Sequence, residues 1–203
     1  MTPKRVILPI IVFSQFCCTS LWFAGNAVIE DLIHTFNLEF SALGDLTSAV
    51  QFGFIFGTFV FALLTITDRF PPSKVFFLSA LVASVFNLLI VVKGQTLTIL
   101  IILRFATGFF LAGIYPVGMK IASDYYDKSL GKSLGFLVGA LVLGTALPHL
   151  LKDILINYSW ESVLVVTSIL AFFGGLSMFL LVKNGPFRKQ SQQFDITVCF
   201  KVF

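Results

Sequence analysis

Charged residues are scarce in this sequence: Asp, Glu, Lys and Arg make up only 12% of its 203 residues. An average soluble domain has about 25% charged residues, so this chain has too few to cover a globule in water. The same scarcity excludes a disordered chain, because disorder requires low hydrophobicity together with high charge. Apolar residues make up 57% of the chain, and Phe alone occurs 25 times. The composition therefore predicts an integral membrane protein.

Residues that build common catalytic, metal and nucleotide sites are also few. The chain has two His and three Cys, and Cys17, Cys18 and Cys199 follow no zinc or redox spacing. The sequence has no Walker-type glycine loop, no nucleophile motif and no basic stripe with interleaved aromatics. We therefore expect no metal, no cofactor, no nucleic acid partner and no enzyme activity.

Charged residues divide the chain into six apolar runs, each near the length of about 20 residues that a helix needs to cross a bilayer. None of the runs alternates with period two, so helices are expected to satisfy the backbone hydrogen bonds in lipid. We predict an all-α membrane protein with six transmembrane helices. The runs are residues 6–29, 46–67, 75–92, 97–119, 133–151 and 162–182.

Basic residues are distributed unequally between the two sets of loops. With the amino terminus in the cytoplasm, eleven basic residues fall on the inner side and two on the outer side. The usual excess of Lys and Arg in cytoplasmic loops predicts this orientation, with both termini in the cytoplasm. We expect a multi-pass protein of the plasma membrane, the inner membrane in bacteria. The inner set is Lys4, Arg5, Arg69, Lys74, Lys120, Lys128, Lys132, Lys183, Arg188, Lys189 and Lys201, and the outer set is Lys93 and Lys152.

The chain resembles itself weakly at an offset of 87 residues. Gly44 and Gly57 fall on Gly131 and Gly144, which relates the second apolar run to the fifth. Three helices per copy is an odd number, so the second copy must enter the membrane from the opposite side. The sequence therefore predicts an inverted 3+3 repeat, an architecture that is typical of secondary transporters.

The loop after the second run resembles a motif of a known family. Asp68 and Arg69, followed by Lys74, are similar to the Asp-Arg-x-Gly-Arg-Lys loop of the major facilitator superfamily. Pro71 and Pro72 replace the Gly and the first basic residue after it, and Lys74 stands one place late. The resemblance implies that this charged group pairs with neighbouring helix ends and stabilises the outward-open state. Ordinary anchoring of a basic inner loop is the alternative.

The fourth and fifth runs carry two further matches to this family. Arg104, Gly108 and Ala112 fit its helix-four pattern Arg-x-x-x-Gly-x-x-x-Ala, the more specific of the motifs. Gly135 and Gly139 are similar to the glycine-rich helix-five motif of antiporters, although Ala follows the second Gly where that motif has Pro. By resemblance, these small residues are candidates for conformational change. Their spacing would also let two helices approach closely, within the molecule or between two molecules.

The resemblance implies that residues 1–183 form the six-helix N-terminal half of this superfamily, and that residues 184–203 begin the cytoplasmic linker to a second half. It also implies a secondary transporter that moves a small solute by alternating access, alone or with a proton or another ion. A second half or a second copy of this chain would complete the protein within the bilayer. The alternatives are a membrane scaffold or receptor that transports nothing, and an inactive fragment.

Arg104 is the only charged residue inside a predicted span, where insertion of an Arg costs about 2.5–3.5 kcal/mol. One interpretation is a cavity residue that binds an anionic solute or takes part in proton coupling. The other interpretation is a structural residue that is bonded to backbone carbonyls. Because the six runs contain no Asp or Glu, the first interpretation favours an anionic solute.

A polar stripe marks one face of the first run, with spacings of four, three and four residues. Such a stripe lines a cavity or bonds to another helix, and the sequence leaves both open. In the fourth run, Pro116 lacks an N–H group and is expected to bend the helix. The cavity candidates from the stripe and from the second and fourth runs are Gln15, Thr19, Trp22, Asn26, Gln51 and Tyr115.

Overall fold

The computed structural model describes residues 4–188 of the chain. The regular structure in that range is α-helical, and six of its helical segments are long and apolar enough to cross a membrane, as predicted. The spans are α1, α3, α5, α6 together with α7, α8 and α9. In chain order the helices are α1 (Lys4–Ala27), α2 (Ile29–Phe36), α3 (Ala42–Leu63), α4 (Ile66–Arg69), α5 (Pro72–Leu89), α6 (Leu97–Leu111), α7 (Tyr115–Tyr125), α8 (Leu130–Ile154) and α9 (Glu161–Leu181).

Residues at the helix ends explain where several helices begin and end. Thr96 caps α6, because its hydroxyl accepts a hydrogen bond from the Ile99 N–H at 3.4 Å. α5 follows Pro71 and starts with Pro72, at a position where a missing N–H costs nothing. Asn37 ends α2 in the left-handed conformation, with φ at 50°. These local preferences give the apolar runs defined ends.

The fourth span is interrupted near its middle, where residues 112–114 separate α6 from α7. The N–H groups of Gly113 and Ile114 bond to the carbonyls three residues earlier, each at 3.0 Å, which tightens the turn. Pro116 has no N–H to donate to the carbonyl four residues earlier, so the helical ladder breaks here. The distortion expected near Pro116 is present, and the span continues to Tyr125, beyond the predicted end at residue 119.

Two short helices, α2 and α4, lie between the spans; α2 falls in the predicted outer loop, and α4 begins at the end of the second predicted run. α2 buries Ile29 and Leu32 against the bundle. Asp31 of α2 forms an ion pair with Lys152 near the end of α8, at 2.9 Å. A search for long apolar runs misses α2 because it is short and apolar on one face only.

The inverted repeat predicts which pairs of long helices should pack in equivalent ways, and the structure shows such pairs. α3 lies along α6, and its counterpart α8 lies along α1; α5 packs on α6 and α9, and α9 packs on α1. Gly57 and Gly144, which the offset matches, make equivalent close contacts. A Cβ at Gly57 would overlap the backbone carbonyl of Phe109 in α6, and a Cβ at Gly144 would overlap that of Phe16 in α1. The predicted inverted 3+3 repeat is confirmed.

Gly135 and Gly139 face away from the bundle and border a groove of about 550 Å³ between α1 and α8. In the described part of the chain, a Cβ at either position would meet nothing within 4 Å. The close approach of α8 to α1 therefore uses Gly144 and not this pair. α3 and α8 are also the least covered spans, with 28% and 22% of their apolar windows buried, against 44–50% for the other four.

The segment after α9 returns to the end of α7. The Phe187 N–H donates to the Asp124 carbonyl at 3.0 Å, and the Tyr125 hydroxyl donates to the Lys183 carbonyl at 2.6 Å. The first residues of the predicted linker thus pack on the six-helix bundle. Residues 189–203, with the rest of that linker, two basic residues of the inner set and one Cys, lie outside the described residues.

Candidate functional site

Arg104 of α6 lies in the interior of the bundle, with an exposed fraction of 1%. Its Nη2 donates hydrogen bonds to Asn26 Oδ1 at 2.6 Å and to the Trp22 backbone carbonyl at 3.0 Å, both in α1. Gly25 makes room for the side chain, since a Cβ there would lie 3.0–3.1 Å from the guanidinium and its Cδ. The arginine of the helix-four motif therefore joins α6 to α1.

The α1 partners of Arg104 also bond to α3. Asn26 Nδ2 donates to Thr47 Oγ1 at 2.8 Å, and Trp22 Nε1 donates to Gln51 Oε1 at 3.3 Å. These four side chains are partly exposed, whereas Arg104 is enclosed. We call Trp22, Asn26, Thr47, Gln51 and Arg104 the polar cluster. Thr47 was not predicted; it precedes Gln51 by one helical turn, and this spacing is the pattern that could have identified it.

The polar cluster lacks a negative charge. Arg104 Nη1 is buried and has no hydrogen-bond partner among the described residues. Within the described spans, acidic residues occur only in first or last turns. The two ion pairs among residues 4–188 use Asp31 of α2 and Asp68 of α4, outside the spans. A buried charge without a partner is costly, so binding of an anionic group would stabilise this site.

The remaining cavity candidates lie elsewhere. Thr19 bonds to the Gln15 carbonyl at 2.9 Å and faces Gly144 of α8. The Gln15 side chain lies against Gly118 of α7, and both of its amide atoms are buried without a partner in the described range. Tyr115 starts α7, is half-buried and shares no hydrogen bond with the cluster in this range. The stripe covers about 16 Å of α1, so different helices cross its two ends.

A charged group lies at the membrane boundary between α4, α5 and the end of α7. Asp68 forms an ion pair with Lys120 at 2.9 Å, and both side chains are about one quarter exposed. Arg69 and Lys74 are exposed and form no ion pair in residues 4–188. Arg188 Nη2 donates to the backbone carbonyl at the C-cap of α4 at 3.0 Å. Of the three predicted loop residues, the acid alone pairs with a neighbouring helix end. Its partner Lys120 was not predicted, and neither was the contact of Arg188 with the end of α4.

Gly108 and Ala112 of the helix-four motif lie in the contact between α6 and its neighbours. A Cβ at Gly108 would overlap the Val50 carbonyl of α3, and one at Gly53 would overlap the Phe105 carbonyl of α6. Ala112 is 1% exposed. Small residues at these positions let the two backbones approach closely. Their part in conformational change stays a prediction, as it does for Gly135 and Gly139.

Six spans with an inverted 3+3 repeat define the half-domain fold of a large class of secondary transporters. The chain has that fold, and it belongs to the Major Facilitator Superfamily, whose family model matches residues 11–197. The six helices have the fold of its N-terminal half. No curated protein matches the sequence significantly.

Two solved structures share the fold. The proton:xylose symporter XylE, bound to 6-bromo-6-deoxy-D-glucose, superposes with a TM-score of 0.75 at 14% identity, over 89% of this chain and 45% of that one. A bacterial homologue of the human lysosomal transporter Spinster, inward-facing and unoccupied, superposes with a TM-score of 0.63 at 16% identity, over 96% and 46%. The chain therefore spans about half the length of these two proteins.

Proposed function

We propose that the chain is the N-terminal half of a secondary transporter that carries a small solute by alternating access. The polar cluster is the observation that carries this proposal. A bundle that only filled the membrane would need no enclosed Arg104 with unused hydrogen-bond donors, because burial of that charge is costly. Membership of the Major Facilitator Superfamily and the shared fold with two transporters support the proposal.

The solute that fits this site best is a small organic anion. Trp22, Asn26, Thr47 and Gln51 are partly exposed and offer indole, amide and hydroxyl groups to a solute. Arg104 adds a positive charge next to them that no described residue compensates, and the two donors of its Nη1 have no partner in residues 4–188. A carboxylate or phosphate would pair with that charge, and the attraction would offset the cost of desolvating the anion. Coupling to a proton or another ion is part of the same proposal, and the acid for it would come from a second half, the solute or the edge of a span.

Gln15, Thr19 and Tyr115 are secondary candidates for the solute pathway. Gln15 is the strongest of them, because a fully buried amide without hydrogen-bond partners costs free energy that a solute or a water molecule would recover. Thr19 satisfies its hydroxyl within α1 and needs no further partner. This ranking predicts that Gln15→Leu changes solute affinity more than Thr19→Val does.

We propose that a second six-helix half, or a second copy of this chain, covers the side on which α3 and α8 are open. Gly135 and Gly139 would let a partner helix approach α8 closely, since nothing in residues 4–188 occupies the space beside them. The exposed Phe52 and Phe56 of α3 would supply the corresponding contact on the other edge. Asp68, Arg69 and Lys74 would then stabilise one of the two conformations from the cytoplasmic boundary.

The orientation is part of the proposal as well. We place the boundary with Asp68, Lys120 and Arg188 in the cytoplasm of a cell with a plasma (bacterial inner) membrane, because basic residues are concentrated there. An even number of spans puts both termini on the same side. Labelling with a membrane-impermeant maleimide tests this: Lys93→Cys should react from outside, and Lys132→Cys should not.

The solute proposal is tested by thermal stabilisation of the purified chain in detergent. The probes are lactate, succinate, gluconate and inorganic phosphate, each against a neutral analogue of similar size. We expect one or more of the anions to raise the melting temperature, and we expect Arg104→Gln to abolish that rise. Lys128→Gln, in an exposed loop, is the matched charge control and should keep it. Stabilisation by the neutral compounds alone, or by none of the probes, would refute the anionic solute.

Transport itself is tested by uptake of the stabilising anion into cells that express the chain. Uptake that Arg104→Ala abolishes is the expected result. Binding without any uptake, both for the chain alone and together with a second six-helix half, would favour the alternative of a scaffold or receptor. Normal uptake by Arg104→Ala would remove Arg104 from the mechanism.

A further inference from the structure

A second groove, besides the one between α1 and α8, lies on the exposed surface of the bundle. It is a groove of about 340 Å³ between α3, α4, α5 and the end of α6. Its walls are apolar and include Phe61, Leu78, Val82 and Phe110. Lys74, in the first turn of α5, is the only charged side chain among the described residues that line it. None of these residues belongs to the polar cluster.

The groove runs parallel to the spans, from the start of α5 toward the middle of this helix. Lys74 and Val82 are eight residues apart on α5, which is about 12 Å along the helix axis. Leu78, between them, is 56% exposed, so the groove is open along its side. On the inner side, Ser79 is buried against Gly113, where α6 has ended. The groove is therefore a narrow apolar channel that is open to the hydrocarbon core and ends at a cation.

Lys74 is free to bind an anion. It is exposed and makes no ion pair in the described part of the chain. The acid at this boundary, Asp68, is already paired with Lys120 at 2.9 Å. A basic side chain in the first turn of a span is expected near the phosphate groups of a bilayer, and anionic lipids are attracted to such positions.

We propose that the groove binds one acyl chain of an anionic phospholipid, whose phosphate pairs with Lys74. A groove that faces lipid is filled by lipid, since an empty apolar channel loses dispersion contacts on both sides. The charge of Lys74 adds the preference for an anionic headgroup, on the order of fivefold for one basic residue. This site is independent of the proposed solute site and would exist whether or not the chain transports anything.

Native mass spectrometry of the purified chain tests the proposal, with equal amounts of phosphatidylglycerol and phosphatidylcholine that carry the same acyl chains. The wild-type chain should retain phosphatidylglycerol about fivefold better. Lys74→Gln should abolish this preference and Lys74→Arg should keep it. Val82→Phe, which fills the groove, should lower retention of both lipids. Leu78→Phe, at the exposed rim, tests the same point if Val82→Phe does not fold.

Two matched variants control for charge and for volume. Lys132→Gln removes an exposed cation of α8, and Leu180→Phe enlarges a side chain of α9 that is 62% exposed. Neither should change lipid retention. The proposal is overturned if Lys74→Gln keeps the headgroup preference, or if both groove-filling variants retain lipid as the wild type does. A dimer that the groove-filling variants dissociate would assign the groove to a second copy of the chain and would also overturn it.

Discussion

Substitution of Gly57 and Gly144 by Ala tests the repeat and the packing together. Each glycine lies where two helices cross, and each Cβ would overlap a backbone carbonyl of the facing helix. A carbonyl cannot rotate away as a side chain can, so the helices themselves must separate. Gly135 and Gly139 lie on α8 as Gly144 does, but in the described chain a Cβ at either meets nothing within 4 Å. They are therefore matched controls in the same helix.

The expected changes in the free energy of unfolding differ between the two buried glycines and the two control glycines. Overpacking of a tight contact costs about 1–3 kcal/mol, occasionally more. An Ala in a helix interior is favoured over Gly by about 0.8–1.0 kcal/mol, which offsets part of that cost. Because a backbone carbonyl blocks both sites, the overpacking cost should lie at the upper end of that range, about 2–3 kcal/mol. Gly57→Ala and Gly144→Ala should therefore destabilise the chain by about 1–2 kcal/mol after the offset. Gly135→Ala and Gly139→Ala should be neutral, or should stabilise it by up to about 1 kcal/mol.

Equilibrium unfolding of the monomeric chain in mixed detergent micelles measures these changes, with the fluorescence of Trp22 and Trp160 as the signal. The two destabilised variants should also agree with each other to within about 1 kcal/mol, because the repeat places their glycines in equivalent contacts. A neutral Gly144→Ala, or a Gly135→Ala that costs as much, would refute the packing argument. A large cost of Gly57→Ala alone would refute the equivalence.

Three further outcomes follow from single contacts. Arg104→Met loses two hydrogen bonds from a charged group, about 1.5–3 kcal/mol each, but removes the cost of burying the charge, about 2.5–3.5 kcal/mol. The net loss of stability should therefore be no more than about 3 kcal/mol, and a loss well above this would assign Arg104 a structural role. Asn87→Ala removes the bonds from the buried Asn87 amide to the Leu164 carbonyl (3.2 Å) and Ser168 Oγ (2.9 Å) of α9; it should cost about 1–2 kcal/mol in the same unfolding assay. Lys120→Gln breaks the partly exposed ion pair with Asp68 and should lower the free energy of unfolding by no more than about 1 kcal/mol. A larger loss would show that this ion pair stabilises the chain more than a partly exposed pair usually does.

The spans and their repeat could be predicted from the sequence because the bilayer imposes length and polarity on every helix that crosses it. Charged residues then mark the ends of the spans, and a glycine that is needed at a close contact recurs in both copies, as Gly57 and Gly144 do. α2 could not be predicted in this way. It is short, lies outside the spans and is stabilised by contacts that are distant in sequence, such as Asp31 with Lys152.

The polar stripe of α1 shows where sequence pattern stops being sufficient. Periodicity placed four polar residues on one face, but it could not say which helix each of them would meet. Trp22 and Asn26 meet α3 and α6, whereas Thr19 meets α8 and Gln15 meets α7. That assignment depends on the crossing of helices over the length of the stripe, a property of the packed bundle and not of α1 alone.

The polar atoms of this bundle indicate a partner more strongly than its apolar faces do. Lipid covers the open sides of α3 and α8 as well as a protein would, because hydrocarbon tails are as apolar as Phe or Leu. Lipid offers no hydrogen bond to the partly exposed Asn26 and Gln51, and no counter-charge to Arg104. A bundle placed alone in hydrocarbon would thus leave its polar cluster incompletely satisfied. A polar cavity between this bundle and a second six-helix unit would supply water, solute and opposing polar groups, which is the environment that these side chains require.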